Sequence, residues 1–209
     1  MGVAKGIELT HVKYGLVLGE TGRKFSTREG EGITAEEILE KAKAMAGEVV
    51  REKRPELVGR ERERIAEAVA IGAVKYVNLK DGRTTDITFD WKKMLEFSGD
   101  SAPYLQYTYA RLRSIERKAK TSDKVMMKRA KSDAELLGGE PEFDLIHAMS
   151  EFPHAIEMAA ANYAPNAVAL YCYELANVAN RFYETAPILN DSDPRRRNAV
   201  RRIAGDARE

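Results

Sequence analysis

Residues 68–119 read AVAIGAVKYVNLKDGRTTDITFDWKKMLEFSGDSAPYLQYTYARLRSIERKA, and the periodicity changes twice within them. Val69, Gly72 and Tyr76, preceded by Ile65, recur at helical spacing as far as a Lys80, Asp81, Gly82 turn. Thr85, Ile87, Phe89 and Trp91 then alternate with Asp86, Thr88 and Asp90, which predicts a strand. After Gly99, Asp100 and Ser101 the helical period returns. Pro103 suits a first turn, and Tyr104, Thr108, Leu112, Ile115 and Ala119 share one face. A helix and strand that stop at a small polar junction, with helix beyond it, predict a boundary near residues 99–101 and domains of 1–99 and 100–209.

Toward the N-terminus, Val12, Tyr14, Leu16 and Leu18 alternate within His11 to Leu18 and predict a strand. The strand runs into a glycine-rich, mixed-charge surface loop, Gly19 to Gly32. Thr34 with Glu37 forms a capping box for a helix whose Ile38, Ala42, Met45 and Val49 recur on one side. The charges from Glu48 to Glu67 intermix as on a solvated surface, broken at Pro55. The first part is thus a small β-α-α-β unit. Beyond residue 120, Phe143 to Ala161 and Asn166 to Glu184 read as two helices. The second opens at Pro165 and buries Ala167, Tyr171, Leu175, Val178 and Phe182. Asp193 before Pro194 caps a last, arginine-rich segment. The fold class is mainly α, a β-α-α-β segment followed by an all-α bundle.

The chain has 209 residues, with 34 Lys and Arg against 33 Asp and Glu, so net charge supplies no polyanion-binding argument. A single cysteine, Cys172, excludes a disulfide framework and a cysteine-based zinc site. The most apolar short stretch, Ala68 to Val74, falls far short of the roughly 20 residues that span a bilayer. These features predict a cytoplasmic protein with no membrane partner. His11, His147 and His154 show no ligand spacing with acidic residues, so no protein-bound metal is expected. The charge is nevertheless segregated. Nine bases and two acids lie between Arg111 and Lys131, and Ala134 to Glu157 carries no Lys or Arg at all. Such a run is either a solvated helix face or a phosphate-neutralising surface.

Lys24, Ser26, Thr27 and Arg28, flanked by Gly22 and Gly30, form the first candidate catalytic set. Two cations four residues apart, with two hydroxyls on a glycine-flanked loop, suit a polyphosphate whose charge grows as pyrophosphate leaves. Walker A spacing is absent. By itself the pentapeptide is a weak signal, more often that of an ordinary solvated loop.

In its setting the loop reads differently. KFSTREGEGITAEEIL, then Gly72 to Tyr76 (GAVKY), Phe89 to Phe97 (FDWKKMLEF) and Pro103 to Arg111 (PYLQYTYAR) occur in the order and spacing of the arginyl-tRNA synthetase family, a class I aminoacyl-tRNA synthetase family. Tyr163 to Glu184 resembles the helix of its all-α anticodon-binding domain that ends in A-x-x-x-N-x-F-Y. The resemblance implies that residues 1–99 are the distal end of the catalytic half, with Phe89 to Phe97 as a strand and Lys24 to Arg28 as the KMSKS-type loop. Residues 100–209 would be most of the anticodon-binding domain.

It also implies the reaction, ATP-dependent attachment of arginine to tRNA through an arginyl-adenylate. ATP with its usual Mg counterion, arginine and tRNA are the expected ligands. Lys24 and Arg28 would hold the ATP pyrophosphate, with Ser26 and Thr27 supporting them. Arg111, Arg113, Asn177, Asn180, Arg181, Arg195, Arg196 and Arg197 are the candidates for tRNA, with Arg201 and Arg202 beyond them and Lys92 and Lys93 as secondary phosphate contacts. An exposed tyrosine among Tyr107, Tyr109 and Tyr183 would stack on a base, unless core packing claims it. Trp91, Met94, Leu95 and Phe97 read as an apolar seal between the halves. A HIGH-type nucleotide-binding motif is absent before His11, and the family's last helix is absent after the arginine-rich segment. The expectation is therefore a C-terminal portion of the enzyme, inactive alone and completed by a separate N-terminal catalytic chain or by the rest of a longer one. The alternative is a free-standing tRNA-binding module without chemistry.

Overall fold

The computed structural model describes residues 6–7, 9–19, 22, 34–119, 134–186, 188 and 191–207, and these are overwhelmingly helical. Two short strands, β1 (Val17–Leu18) and β2 (Ile87–Thr88), pair in parallel, Val17 opposite Ile87. A parallel pair needs a long crossover. Here it contains α1 (Ala35–Lys53) and α2 (Gly59–Lys80), which pack on each other. The capping box is present: Thr34 Oγ1 accepts from the Glu37 N–H at 3.2 Å, and Glu37 accepts from the Thr34 N–H at 2.7 Å. The break at Pro55 also holds, since neither helix includes it.

A short helix α3 (Trp91–Met94) follows β2. Then come α4 (Ala102–Ala119), a 3-10 turn (Ala134–Leu136), α5 (Glu140–Ser150), α6 (Phe152–Asn162), α7 (Asn166–Thr185) and α8 (Pro194–Asp206). The mainly α reading is correct.

Two cores form. The first gathers Ala42, Ala46 and Val50 of α1, Val69, Ala70, Ala73 and Tyr76 of α2, and Phe89, Trp91, Met94 and Leu95, closed by Ala102 and by Ala169 of α7. The second joins Leu112 and Ile115 of α4 to Leu145, Ala179, Phe182, Ile188, Val200 and Ile203. Both α4 and α7 therefore run through both cores.

Three local expectations change. The strand expected over His11 to Leu18 shrinks to two residues, and Tyr14 is 84% exposed. Before Val17 the backbone turns to irregular partners: Gly15 N–H donates to the Arg83 carbonyl at 2.6 Å and Leu16 N–H to Asp86 Oδ1 at 2.8 Å. The strand expected to reach Trp91 ends at Thr88, because Asp90 Oδ1 accepts from the N–H groups of Lys92 and Lys93, both at 3.1 Å, and starts α3. The helix expected over 143–161 breaks at Glu151, where Pro153 removes a donor and opens a new first turn. Of the expected apolar seal, Trp91, Met94 and Leu95 are buried, whereas Phe97 is exposed.

Candidate nucleic-acid interface

The first candidate set, Lys24, Ser26, Thr27 and Arg28, lies outside the described residues, as does the basic run from residue 120 to 133. The described candidates gather where α4 faces α7. Tyr104, Thr108 and Arg111 are spaced i, i+4, i+7 along α4, and Asn177, Asn180 and Glu184 are spaced i, i+3, i+7 along α7, so each set lines one helix face.

The two rows interlock. Tyr104 Oη donates to Asn177 Oδ1 at 2.8 Å. Asn180 Nδ2 donates to Tyr104 Oη at 3.1 Å and to Thr108 Oγ1 at 2.7 Å, while its Oδ1 accepts from Arg111 Nη1 at 3.0 Å. Asn180 has thereby used both of its donors within the protein and organises the row. Arg111 also reaches Glu184 Oε1 at 3.4 Å, and its guanidinium carbon sits 4.2 Å from the Tyr183 ring centre and 5.6 Å from that of Tyr107. A guanidinium held by an amide oxygen, a carboxylate oxygen and two π-faces is fixed in direction. Tyr107 is 48% exposed at the edge of this assembly. The arrangement places a partly exposed guanidinium, paired with Glu184, beside a half-exposed tyrosine ring, two groups of the kinds that single-stranded bases and their phosphates use.

The remaining candidates do not join this cluster. Arg181 pairs with Asp144 at 3.7 Å and Arg195 with Glu135 at 3.9 Å. Arg196 is turned inward between Asp191 and the buried Glu142, both at 2.5 Å, and Arg197 donates to the Asp191 carbonyl at 2.9 Å. The Asp193 N–H and then the Arg196 guanidinium lower the pKa of Asp191. Arg113, Lys92 and Lys93 are exposed. Tyr109 is exposed as well, on the rim of an apolar cavity of about 330 Å³ lined by Leu105, Met149, Phe152, Tyr171 and Cys172. Sequence reasoning missed Glu184 as a partner of Arg111 and Tyr104 with Thr108 as partners of Asn180. The i, i+4, i+7 polar row on an otherwise apolar face of α4 was the available signal.

Among the described residues no three His, Cys, Asp or Glu side chains gather as a metal-ligating group, and no helix is long and apolar enough to cross a membrane.

Residues 1–91 match the family model for the class I (R) tRNA synthetase catalytic domain, and residues 105–204 match that for the DALR anticodon binding domain. The arginine-tRNA ligase of Pasteurella multocida is 38% identical over 191 residues, covering 91% of this chain and 33% of that protein. That of Cellvibrio japonicus is 38% identical over 189 residues, covering 90% and 32%. Among solved structures, Thermus thermophilus arginyl-tRNA synthetase superposes with a TM-score of 0.78 at 28% identity, over 93% of this chain and 32% of that one. Plasmodium falciparum arginyl-tRNA synthetase, at 21% identity and a TM-score of 0.77, shares the fold. The chain spans about a third of the length of the curated relatives it matches. Because a catalytic-domain match, an anticodon-domain match and the superposed fold all lead to the same relatives, the chain belongs to the arginyl-tRNA synthetase family.

Proposed function

We propose that this chain serves arginine-tRNA ligation in the cytoplasm as the part carrying the pyrophosphate-facing loop, in residues 1–99, and the anticodon-binding bundle, in residues 100–209. The observation that carries the reading is the Tyr107, Arg111, Tyr183 stack, held by Asn180 on a surface within the residues that match the anticodon-binding family model. In this reading Tyr107 stacks on an unpaired base, and Arg111, held in direction by its rings, meets an adjacent phosphate or base edge. Arg113, Arg181, Arg195 and Arg197 extend the positive surface. Asn177, Asn180 and Arg196 set its shape from within, through the Tyr104 bond and the Asp191 and Glu142 pairs.

Lys24 and Arg28, with Ser26 and Thr27, act on ATP as substrate, stabilising the departing pyrophosphate. The chain spans about a third of its relatives' length, and in this reading the nucleotide fold and the arginine pocket are supplied from outside these 209 residues, on the same or a separate chain. No arginine-dependent pyrophosphate exchange is therefore expected of the 209 residues alone.

Binding of an arginine-acceptor tRNA transcript, followed by anisotropy across a salt series, tests the reading. Affinity should fall steeply with salt, by a slope of about 0.7–0.9 per phosphate neutralised. Arg111→Ala should weaken binding about tenfold while helical content is kept. Equal affinity for any RNA of the same length, or no effect of Arg111→Ala, rejects the assignment.

A further inference from the structure

Helix α6 is apolar and yet uncovered. Its residues, FPHAIEMAAAN, include one acid, Glu157, and no Lys or Arg, and none of them is buried. Ala155 and Ala159 are half-buried where α6 packs on α7, while Phe152, Ile156 and Met158 are exposed. A helix of this composition in a folded protein is ordinarily covered on most sides. Both ends of the segment are nevertheless held. Arg83 Nε donates to the Tyr163 carbonyl at 2.9 Å, just past the last turn of α6. Before it, α5 is anchored by the buried Leu145 and by Glu142, which pairs with Arg196.

Helix α5 adds to the same surface. Phe143, His147 and Ser150 of α5 and His154 and Met158 of α6 are all exposed, and they follow one another at steps of three or four residues, with Ile146 beside them. Between the helices Glu151 keeps right-handed helical angles, φ −77° and ψ −8°, so the exposed row runs from one helix into the next. Phe143 is 69% exposed, and its ring centre lies 6.2 Å from that of His147 with 14° between the planes, a flat face open to solvent. Exposed apolar side chains are ordinary when scattered singly, whereas a contiguous group marks a contact surface.

Charge decides what covers it. No Lys or Arg occurs from residue 132 to residue 180. Glu142 and Asp144 pair with Arg196 and Arg181, but Glu140, Glu151 and Glu157 have no cationic partner among the described residues. Such a face repels a phosphate backbone, and packing it on the same face of a second copy would set acid against acid. A polypeptide with Lys or Arg around apolar anchors answers both features. Its apolar side chains would cover Phe143, Ile146 and Met158, its cations would meet the three free carboxylates, and an arginine plane would stack on the Phe143 and His147 rings. We infer that the exposed side of α5 and α6 is a docking surface for a basic amphipathic helix of a partner protein. The inference is independent of the RNA-binding reading, whose stacked residues lie on α4 and α7.

A fluorescein-labelled helical peptide of about 18 residues, with leucines on one face and lysines and arginines on the other, tests it by anisotropy against the 209-residue chain. The wild type should bind this peptide, more weakly as salt rises, and should not bind the same peptide with glutamate at every basic position. Phe143→Ser combined with Met158→Ser should weaken binding about tenfold. Glu151→Gln with Glu157→Gln should weaken it about threefold, and Leu79→Ser, on the exposed side of α2, should leave it unchanged. All of these side chains are exposed, so the fold should persist, and an unchanged urea midpoint of Trp91 fluorescence checks this. The proposal is overturned if the basic peptide does not bind, if the acidic peptide binds as well, or if the Phe143 and Met158 variant binds like the wild type. It is also overturned if the chain alone sediments as a dimer that this variant dissociates, because the occupant is then a second copy.

Discussion

Tyr76 joins the two parts of the chain at the level of a single hydroxyl. It donates to Asp100 Oδ1 at 2.6 Å, beside the Ala169 carbonyl at 3.3 Å, and Lys80 Nζ holds the other Asp100 oxygen at 3.1 Å. Burial first, and then the Asp100 carboxylate, raise the phenol pKa well above its ordinary value. The sign follows directly. Below about pH 10 the phenol is protonated in both the folded and the unfolded chain, and its contribution to stability is complete. Above that pH the unfolded chain releases the proton while the folded one retains it, so stability falls as pH rises. Tyr76→Phe should therefore cost about 1–2 kcal/mol near neutrality. Its urea midpoint should also decline less than the wild type between pH 9 and 11, the difference between the two proteins cancelling the common lysine titration. Parallel curves would show that the hydroxyl is not coupled to Asp100. Gly15 acts at the same scale through absence: a Cβ there would meet the Thr85 carbonyl oxygen at 2.3 Å, so only glycine lets this segment lie against the β2 turn.

At the scale of elements, what sequence legibly fixed was whatever a single helix decides for itself. The Thr34 and Glu37 box starts α1 as its spacing requires, and Asp193 accepts from the Arg195 N–H at 2.8 Å to start α8. Thr34→Ala removes one of the two reciprocal bonds and should lower stability by about 1 kcal/mol in urea unfolding, whereas Thr34→Ser should be nearly neutral. An alanine variant within about 0.3 kcal/mol of the wild type would mean that α1 is held by its packing on α2 alone. Less legible were features that depend on what lies opposite. Val12, Tyr14 and Leu16 alternate as a strand does, yet only Val17 and Leu18 find a ladder, since the partner segment turns at Arg83 to Asp86. Asp90 looks like one more polar position in an alternating run, until its carboxylate is seen taking two backbone N–H groups. The candidate site divides in the same way. Arg111 was readable as a cation on the right helix, but its confinement by Tyr183, Tyr107, Asn180 and Glu184 required the register of α4 against α7. Nothing in the arginine-rich end distinguished the inward Arg196 from its neighbours, because its buried partner Glu142 lies 54 positions away.

For the whole molecule, the two cores raise the question of whether the chain unfolds as one unit. The family matches divide it between residues 91 and 105, which suggests two independent parts. The packing argues otherwise: α4 contributes Ala102 to the first core and Leu112 and Ile115 to the second, and α7 contributes Ala169 to the first and Ala179 and Phe182 to the second. Neither core can lose its share of these helices without the other losing continuous helical structure, and helix propagation is cooperative. Trp91 is the chain's one tryptophan and lies in the first core, so its fluorescence reports that core alone. Phe182 is 1% exposed in the second. Phe182→Ala should cost about 3–5 kcal/mol, the range for truncating a fully buried aromatic side chain. If the cores are coupled through α4 and α7, the Trp91 transition should move to lower urea together with the loss of far-ultraviolet ellipticity. A Trp91 transition that stays at its wild-type midpoint while ellipticity is lost in two steps would mean that each core folds by itself. In that case Tyr76, Lys80 and Arg83 would be contacts between separate domains rather than parts of one cooperative structure.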